Sequence, residues 1–198
     1  GNWKLLHHMS RHFFAPVTVA AIPEGGVLAL VGVNDTMAPL SVALEVFGLS
    51  MSGTLRALTS IKATLPTDAS LPITSVSLSD LAADEVLYWR WSGPAGTSGD
   101  DLHSPRPWKS YDLLPPDIRT DIRPAPGGWE ITLTATHLAP FAALESDQPG
   151  RFSDNAFALF PGHPRTILFT PSHPGPTPKF TIRDLHSATY GATYSTES

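Results

Sequence analysis

The sequence predicts an all-β chain: two β-sandwich domains preceded by one short amphipathic helix. Three observations carry this reading. Apolar residues follow a helical period only at the very start, and from Val17 onward they alternate with polar ones. Turn residues interrupt that alternation at short intervals. Proline accounts for 20 of 198 residues, about twice ordinary usage, which disfavours long helices.

The first segment places Trp3, Leu5, Leu6, Met9 and Phe13 within an arc of about 160°, with Lys4, His7, His8, Arg11 and His12 opposite. Asn2 is a plausible N-cap. Pro16 pushes Ala15 out of helical geometry, so the helix is expected to stop near Phe13. Strands follow. Val27 to Val33 is almost continuously apolar, as in a strand buried on both faces. In Leu40 to Phe47, Leu40, Val42, Leu44 and Val46 share one face. From Thr54 to Leu65, Leu55, Ala57, Ile61 and Leu65 are expected inward against Arg56, Ser60, Lys62 and Thr64. Ile73 to Leu78 and Glu85 to Trp91 bring the set to about six, enough for a sandwich.

Residues 93–116 lose this periodicity, are rich in proline and glycine, and read as a linker or crossover. Alternation resumes at Ile118, Thr120 and Ile122, turns at Pro-Ala-Pro-Gly-Gly, and continues through Trp129, Ile131, Leu133 and Ala135. Shorter strands are expected at Pro140 to Glu145, Thr166 to Thr170 and Lys179 to Leu185. The expected division is a helix over 1–15, a first sandwich over 16–110, a second over 111–186 and a flexible tail over 187–198. The length suits two domains of roughly 100 residues each.

Composition narrows the function. Charged residues make up 16% against roughly 25% in an average soluble domain. A net charge of −5 supplies no basic footprint for phosphate backbones, so nucleic acid is not an expected partner. No uncharged apolar window is long enough to span a bilayer, so no membrane association is expected. Cysteine is absent, which removes disulfides, thiolate metal sites and a cysteine nucleophile and leaves the compartment undecided. The first residues lack the apolar stretch and cleavage site of a secretory signal. A start at Gly-Asn-Trp-Lys, without Met, reads as a piece of a longer polypeptide.

Two stretches carry a resemblance. Gly1 to Val17, G-N-W-K-L-L-H-H-M-S-R-H-F-F-A-P-V, resembles G-R-W-K-x-L-H-Y-x-x-R-R-F-F-A-P-V at the end of the catalytic barrel of family 2 glycoside hydrolases of the β-mannosidase type. Arg151 to Thr166, R-F-S-D-N-A-F-A-L-F-P-G-H-P-R-T, resembles the F-S-D-N-x-F-x-L-x-P-G-E-x-R-x-V signature of the last immunoglobulin-like domain of the same enzymes. The departures are Asn2 for Arg, His12 for a basic residue, Ala158 where Asp often stands, and His163 for Glu. The resemblance implies that both sandwiches are immunoglobulin-like. It further implies that the apolar arc of Trp3, Leu6, Met9 and Phe13 docks on a barrel, and that the parent polypeptide hydrolyses terminal β-mannosides with retention.

A retaining glycosidase needs two carboxylates about 5 Å apart. In the family both are Glu residues of the barrel, the acid following an Asn. Here Asn2 precedes Trp3, Asn34 precedes Asp35 and Asn155 precedes Ala156, so no Asn-Glu pair exists. The sequence therefore offers no catalytic residue, cofactor site or metal site of its own, and catalysis is expected upstream of Gly1. His8 and His12, spaced i, i+4, could ligate a metal but sit on the polar arc and read as solvated or interface residues. Asp100 and Asp101 read as a solvated pair in a Gly-rich loop. Ser153, Asp154 and Asn155 read as a structural turn whose side chains bond nearby backbone. Trp89 and Trp91 share a strand face with Leu87 and read as core. Exposed, they would form a stacking platform for sugar rings, and the chain would be a carbohydrate-binding module. An immunoglobulin-like protein-interaction module is the third reading. Trp108 and Trp129 read as buried anchors.

Overall fold

The computed structural model describes residues 15–191 and 194–195. The helix expected over the first residues, with Trp3, Leu6, Met9, Phe13 and the His8, His12 pair, lies outside them. The described residues divide into two units, one holding residues 15–50 with Thr54–Asp112, the other Met51–Gly53 with residues from Leu113 onward. Among the described residues no helix is long and apolar enough to cross a membrane.

The first unit contains β1 (Val17–Glu24), β2 (Val27–Asn34), β3 (Leu40–Ser50), β4 (Leu55–Leu65), β5 (Ala69–Ser77), β6 (Glu85–Ser92) and β7 (Ser98–His103). These form two antiparallel sheets, ordered β1-β2-β5 and β4-β3-β6-β7. Gly25 and Gly26, at φ 56° and 94°, make the two-residue turn between β1 and β2, where both positions need left-handed backbone. The core lies between the sheets: Val17, Val19, Leu28, Leu30 and Val76 from one meet Val42, Leu44, Val46, Leu65, Leu87, Trp89 and Trp91 from the other. The indole N–H of Trp89 crosses that core and donates to the carbonyl of Val19 at 2.8 Å.

Three local expectations need correction. β2 is not buried on both faces: Leu28, Leu30 and Asn34 are buried while Val27, Ala29, Val31 and Val33 are half-buried, because only one face of this small sheet meets the core. In β4 the inward phase breaks at Leu58, where a bulge separates the pairs Val46–Thr59 and Phe47–Ala57. An extra residue reverses which side chains share a face. Ala57 is therefore exposed, Leu55 stands opposite Leu49, and Arg56, exposed as expected, stands opposite Gly48. Finally, the stretch read as linker contains β7, which has no apolar alternation and is held by its backbone ladder to β6.

The second unit contains β8 (Arg119–Ala125), β9 (Gly128–Thr134), β10 (Ala139–Ser146), β11 (Gly150–Phe152), β12 (Phe157–Leu159), β13 (Arg165–Pro171), β14 (Phe180–Arg183), α1 (Leu185–Tyr190) and β15 (Tyr194–Ser195). Its sheets are ordered β11-β13-β9-β8 and β12-β10-β14-β15. Ile131, Leu133, Phe152, Ile167 and Phe169 face Ala142, Leu144, Phe157, Leu159, Phe180 and Ile182. The Phe169 and Phe180 rings meet edge to face at 5.2 Å.

The tail expected to fray from Ser187 starts inside α1. Asp184 caps this helix: its Oδ1 accepts from Ser187 N–H at 2.6 Å, and Ser187 Oγ accepts from Asp184 N–H at 2.8 Å. Gly191, left-handed at φ 78°, closes the other end. A six-residue helix leaves the alternation of strands no place to show it, and polar composition alone hid the reciprocal cap. Tyr194–Ser195 then pairs with β14.

Replacing Trp89 with Phe removes the bond to Val19 and leaves a buried carbonyl unpaired in a slightly emptied core. We expect a loss of about 2 to 4 kcal/mol, read as a lower urea midpoint for the first unit. An unchanged midpoint would show that the cross-core bond does not hold the sheets.

Candidate functional site

The turn Ser153-Asp154-Asn155 lies where the chain leaves β11, in one sheet, for β12, in the other. Its side chains reach further than a local turn requires. Ser153 pairs with β13: its N–H donates to Leu168 O at 2.8 Å, and its Oγ accepts from Leu168 N–H at 2.9 Å. Asn155, buried, pairs with β10: Oδ1 accepts from Leu144 N–H at 2.7 Å and Nδ2 donates to Leu144 O at 2.9 Å. Asp154 Oδ1 accepts from Asn155 N–H at 2.8 Å and braces the turn between these two feet. Asn155 thus supplies the donor and acceptor of a missing strand neighbour, a role that needs an amide and not a carboxylate.

In the first unit the buried carboxylate is Glu85, on β6. Arg56 holds it from both sides, Nε to Oε1 at 2.9 Å and Nη2 to Oε2 at 2.6 Å, and Ala82 N–H adds a third bond at 2.9 Å. Room for it comes from Gly48, where a Cβ would lie 2.5 Å from Glu85 Oε2. The Arg56 guanidinium, helped by Ala82, holds the Glu85 carboxyl below the usual carboxylate range although burial opposes this. Sequence periodicity missed the pair because the bulge at Leu58 is what turns Arg56 toward it.

Asp184, His186 and Ser187 bring carboxylate, imidazole and hydroxyl close together, all buried. The geometry is that of a helix cap. Ser187 Oγ donates to Asp184 O at 3.0 Å and accepts from Asp184 N–H, so it is not held by the imidazole. The His186 ring lies 4.8 Å from that of Tyr190, and its Nδ1 makes no hydrogen bond. Nucleophilic catalysis needs the hydroxyl bonded to the base, and that bond is missing.

The remaining sequence candidates disperse. Trp89 and Trp91 are 2% and 6% exposed, so neither ring presents a face for stacking. Asp100 and Asp101 are adjacent on β7, not in a loop, and therefore point to opposite faces. Asp100 accepts from the Tyr88 hydroxyl at 3.1 Å, and Asp101 accepts from Leu102 N–H at 2.8 Å. Trp129 is half-buried against the second core, and the Trp108 ring lies 5.7 Å from that of Tyr111. Among the described residues no group of three or more His, Cys, Asp or Glu could hold a metal ion.

Two substitutions test this arrangement. Asn155→Ala unpairs both buried backbone groups of Leu144 and is expected to cost about 2 to 4 kcal/mol, against about 1 for Asp154→Ala. Calorimetry of the two variants decides the ranking, and equal losses would deny Asn155 its special place. For Glu85, a carboxyl held below its unfolded value stabilises the fold above about pH 4.3. That contribution disappears as pH falls through the folded value. Glu85→Gln should therefore lower the melting temperature at neutral pH and flatten its acid limb, whereas an unaltered acid limb would remove Glu85 from the account.

Comparison with known proteins places this architecture. The Ig-fold domain model of mannosidases matches residues 113–188. A β-mannosidase of Mus musculus is 26% identical over 206 residues, which cover 96% of this chain and 23% of that protein. The chain therefore spans under a quarter of that relative's length. Among solved structures, β-D-mannosidase from Dictyoglomus thermophilum has a TM-score of 0.72 at 16% identity, covering 98% of this chain and 23% of that one. The exo-chitosanase of Amycolatopsis orientalis has a TM-score of 0.73 at 14% identity, covering 97% and 28%. These two likenesses concern the fold. Residues 113–188 thus match an Ig-fold domain model of mannosidases, within an all-β chain that is similar over nearly its whole length to one stretch of a β-mannosidase.

Proposed function

We propose that this chain is a non-catalytic accessory region of a β-mannosidase-like glycoside hydrolase and that it braces a catalytic barrel lying upstream in the same polypeptide. One observation carries the reading: Glu85, Asp184 and Asn155, polar and buried, each help hold their own fold together. Glu85 is bonded to Arg56 and Ala82, Asp184 caps α1, and Asn155 ties the β11–β12 crossover to β10. Retaining hydrolysis needs one carboxyl to protonate the leaving oxygen and a second, about 5 Å away, to attack the anomeric carbon. Glu85, with both carboxylate oxygens on structural donors, is open to neither role.

What such a region offers a barrel is stiffness. Two antiparallel sandwiches, each with its own packed core, present fixed surfaces, and fixed surfaces lose little conformational entropy on docking. The apolar arc of Trp3, Leu6, Met9 and Phe13 is, on this reading, part of the barrel itself. The burial of Trp89 and Trp91 argues against a carbohydrate-binding module using those rings.

The isolated chain is expected to release no nitrophenol from an aryl β-mannoside above a buffer control. The full-length polypeptide should release it, and should lose stability when this region is removed. Turnover by the repurified isolated chain would overturn the proposal, as would a full-length enzyme indifferent to the deletion.

A further inference from the structure

One end of the first unit is built around Asn34, the last residue of β2, which is completely buried. Its Nδ2 lies 2.9, 3.3 and 3.1 Å from the carbonyl oxygens of Ala38, Leu65 and Pro66. Its Oδ1 accepts from Thr36 N–H at 3.0 Å and Thr36 Oγ1 at 2.6 Å. The next residue, Asp35, donates its N–H to Pro16 O at 2.8 Å. One buried amide and its neighbour thereby gather three separate segments, and each brings apolar residues to the surface: Pro16, then Met37, Ala38 and Pro39, then Pro66, all exposed. Met37 is 96% exposed.

A long apolar side chain standing in water on a hydrogen-bonded loop is a poor choice for a free surface and a good one for an anchor. The loop is already ordered, so docking Met37 costs little backbone entropy, and its flexible thioether adapts to an irregular hollow. Asn34-Asp35-Thr36 has the pattern of an N-glycosylation acceptor, but the Asn34 amide is buried and engaged, so no glycan covers the patch in the folded chain. Exposed Asp35 and Asp68 stand on its rim, which favours an apolar hollow edged by basic groups.

We propose that this patch is the seat by which the first unit docks on the catalytic barrel of the parent polypeptide, an inference that rests on the accessory reading above and names its surface. Its position argues for that occupant. Pro16 directly follows the segment that resembles the end of a barrel, and each residue spans about 3.5 Å at most. A barrel preceding Pro16 would therefore lie within reach of Met37, since Asp35 N–H holds the Pro16 carbonyl at 2.8 Å. The relatives have ample chain to supply it, since this region covers only 23% of the mouse β-mannosidase.

Methionine oxidation by dilute peroxide, read by mass spectrometry, tests this in the isolated chain and in the full-length polypeptide. Met37 should oxidise freely in the isolated chain and about tenfold more slowly in the full-length protein. Met37→Asp should leave the melting temperature of the isolated chain unchanged and lower that of the full-length protein. If Met37 oxidises equally in both while other side chains of this region gain protection, the seat lies elsewhere and only this inference fails. If no side chain of the region gains protection, the accessory reading fails with it. Protection in the isolated chain that grows with concentration would make the occupant a second copy and overturn the proposal.

Discussion

Backbone ladders bind strands within a sheet and do nothing across a sandwich, so something else must fix how two sheets face each other. In this chain that task falls to one buried bond across the first core and, in the second unit, to a crossover pinned at both ends. The Trp89 indole does it in the first unit, bonding β6 of one sheet to Val19 of the other. In the second, Ser153 and Asn155 pin the two ends of the β11–β12 crossover to β13 and β10. Apolar contacts supply most of the burial free energy but tolerate sliding. A hydrogen bond in a dry core does not, because moving it by one residue leaves both partners unpaired.

The same reasoning explains which residues were legible in the sequence. Alternation in β3 and β9 showed their inward faces because each buries one side against a core. The Ser153-Asp154-Asn155 turn was legible as structural, but its reach was not: the sequence pattern suggests bonds to its own backbone, and only the fold brings Leu144 and Leu168 beside it. β4 misled because a single extra residue at Leu58 inverts every side chain beyond it, and no residue type in that stretch announces a bulge. β7 and α1 were missed for a related reason. Both are fixed by partners, the β6 ladder and the Asp184–Ser187 cap, and neither has an apolar period of its own. The Asn34 hub was invisible because two of its acceptors, Leu65 and Pro66, lie far along the chain.

Function follows from how these groups are used. The amide of Asn155, the carboxylate of Glu85 and the indole of Trp89 are consumed by the architecture. Sandwiches packed in this way suit positioning. The exposed end organised by Asn34 is where that rigidity meets the rest of a longer polypeptide, on the reading proposed above.

Hydrogen exchange of the isolated chain, resolved at the Leu144 amide and the Trp89 indole, tests the central claim most directly. If the Trp89 bond across the core and the Asn155 bond at the crossover hold each sandwich closed, both protons should exchange only through global unfolding of their own unit, as slowly as the best-protected strand amides. Exchange through local fluctuations, well before the core amides of β3 and β9, would show that the sheets stay together without these links and would contradict the account.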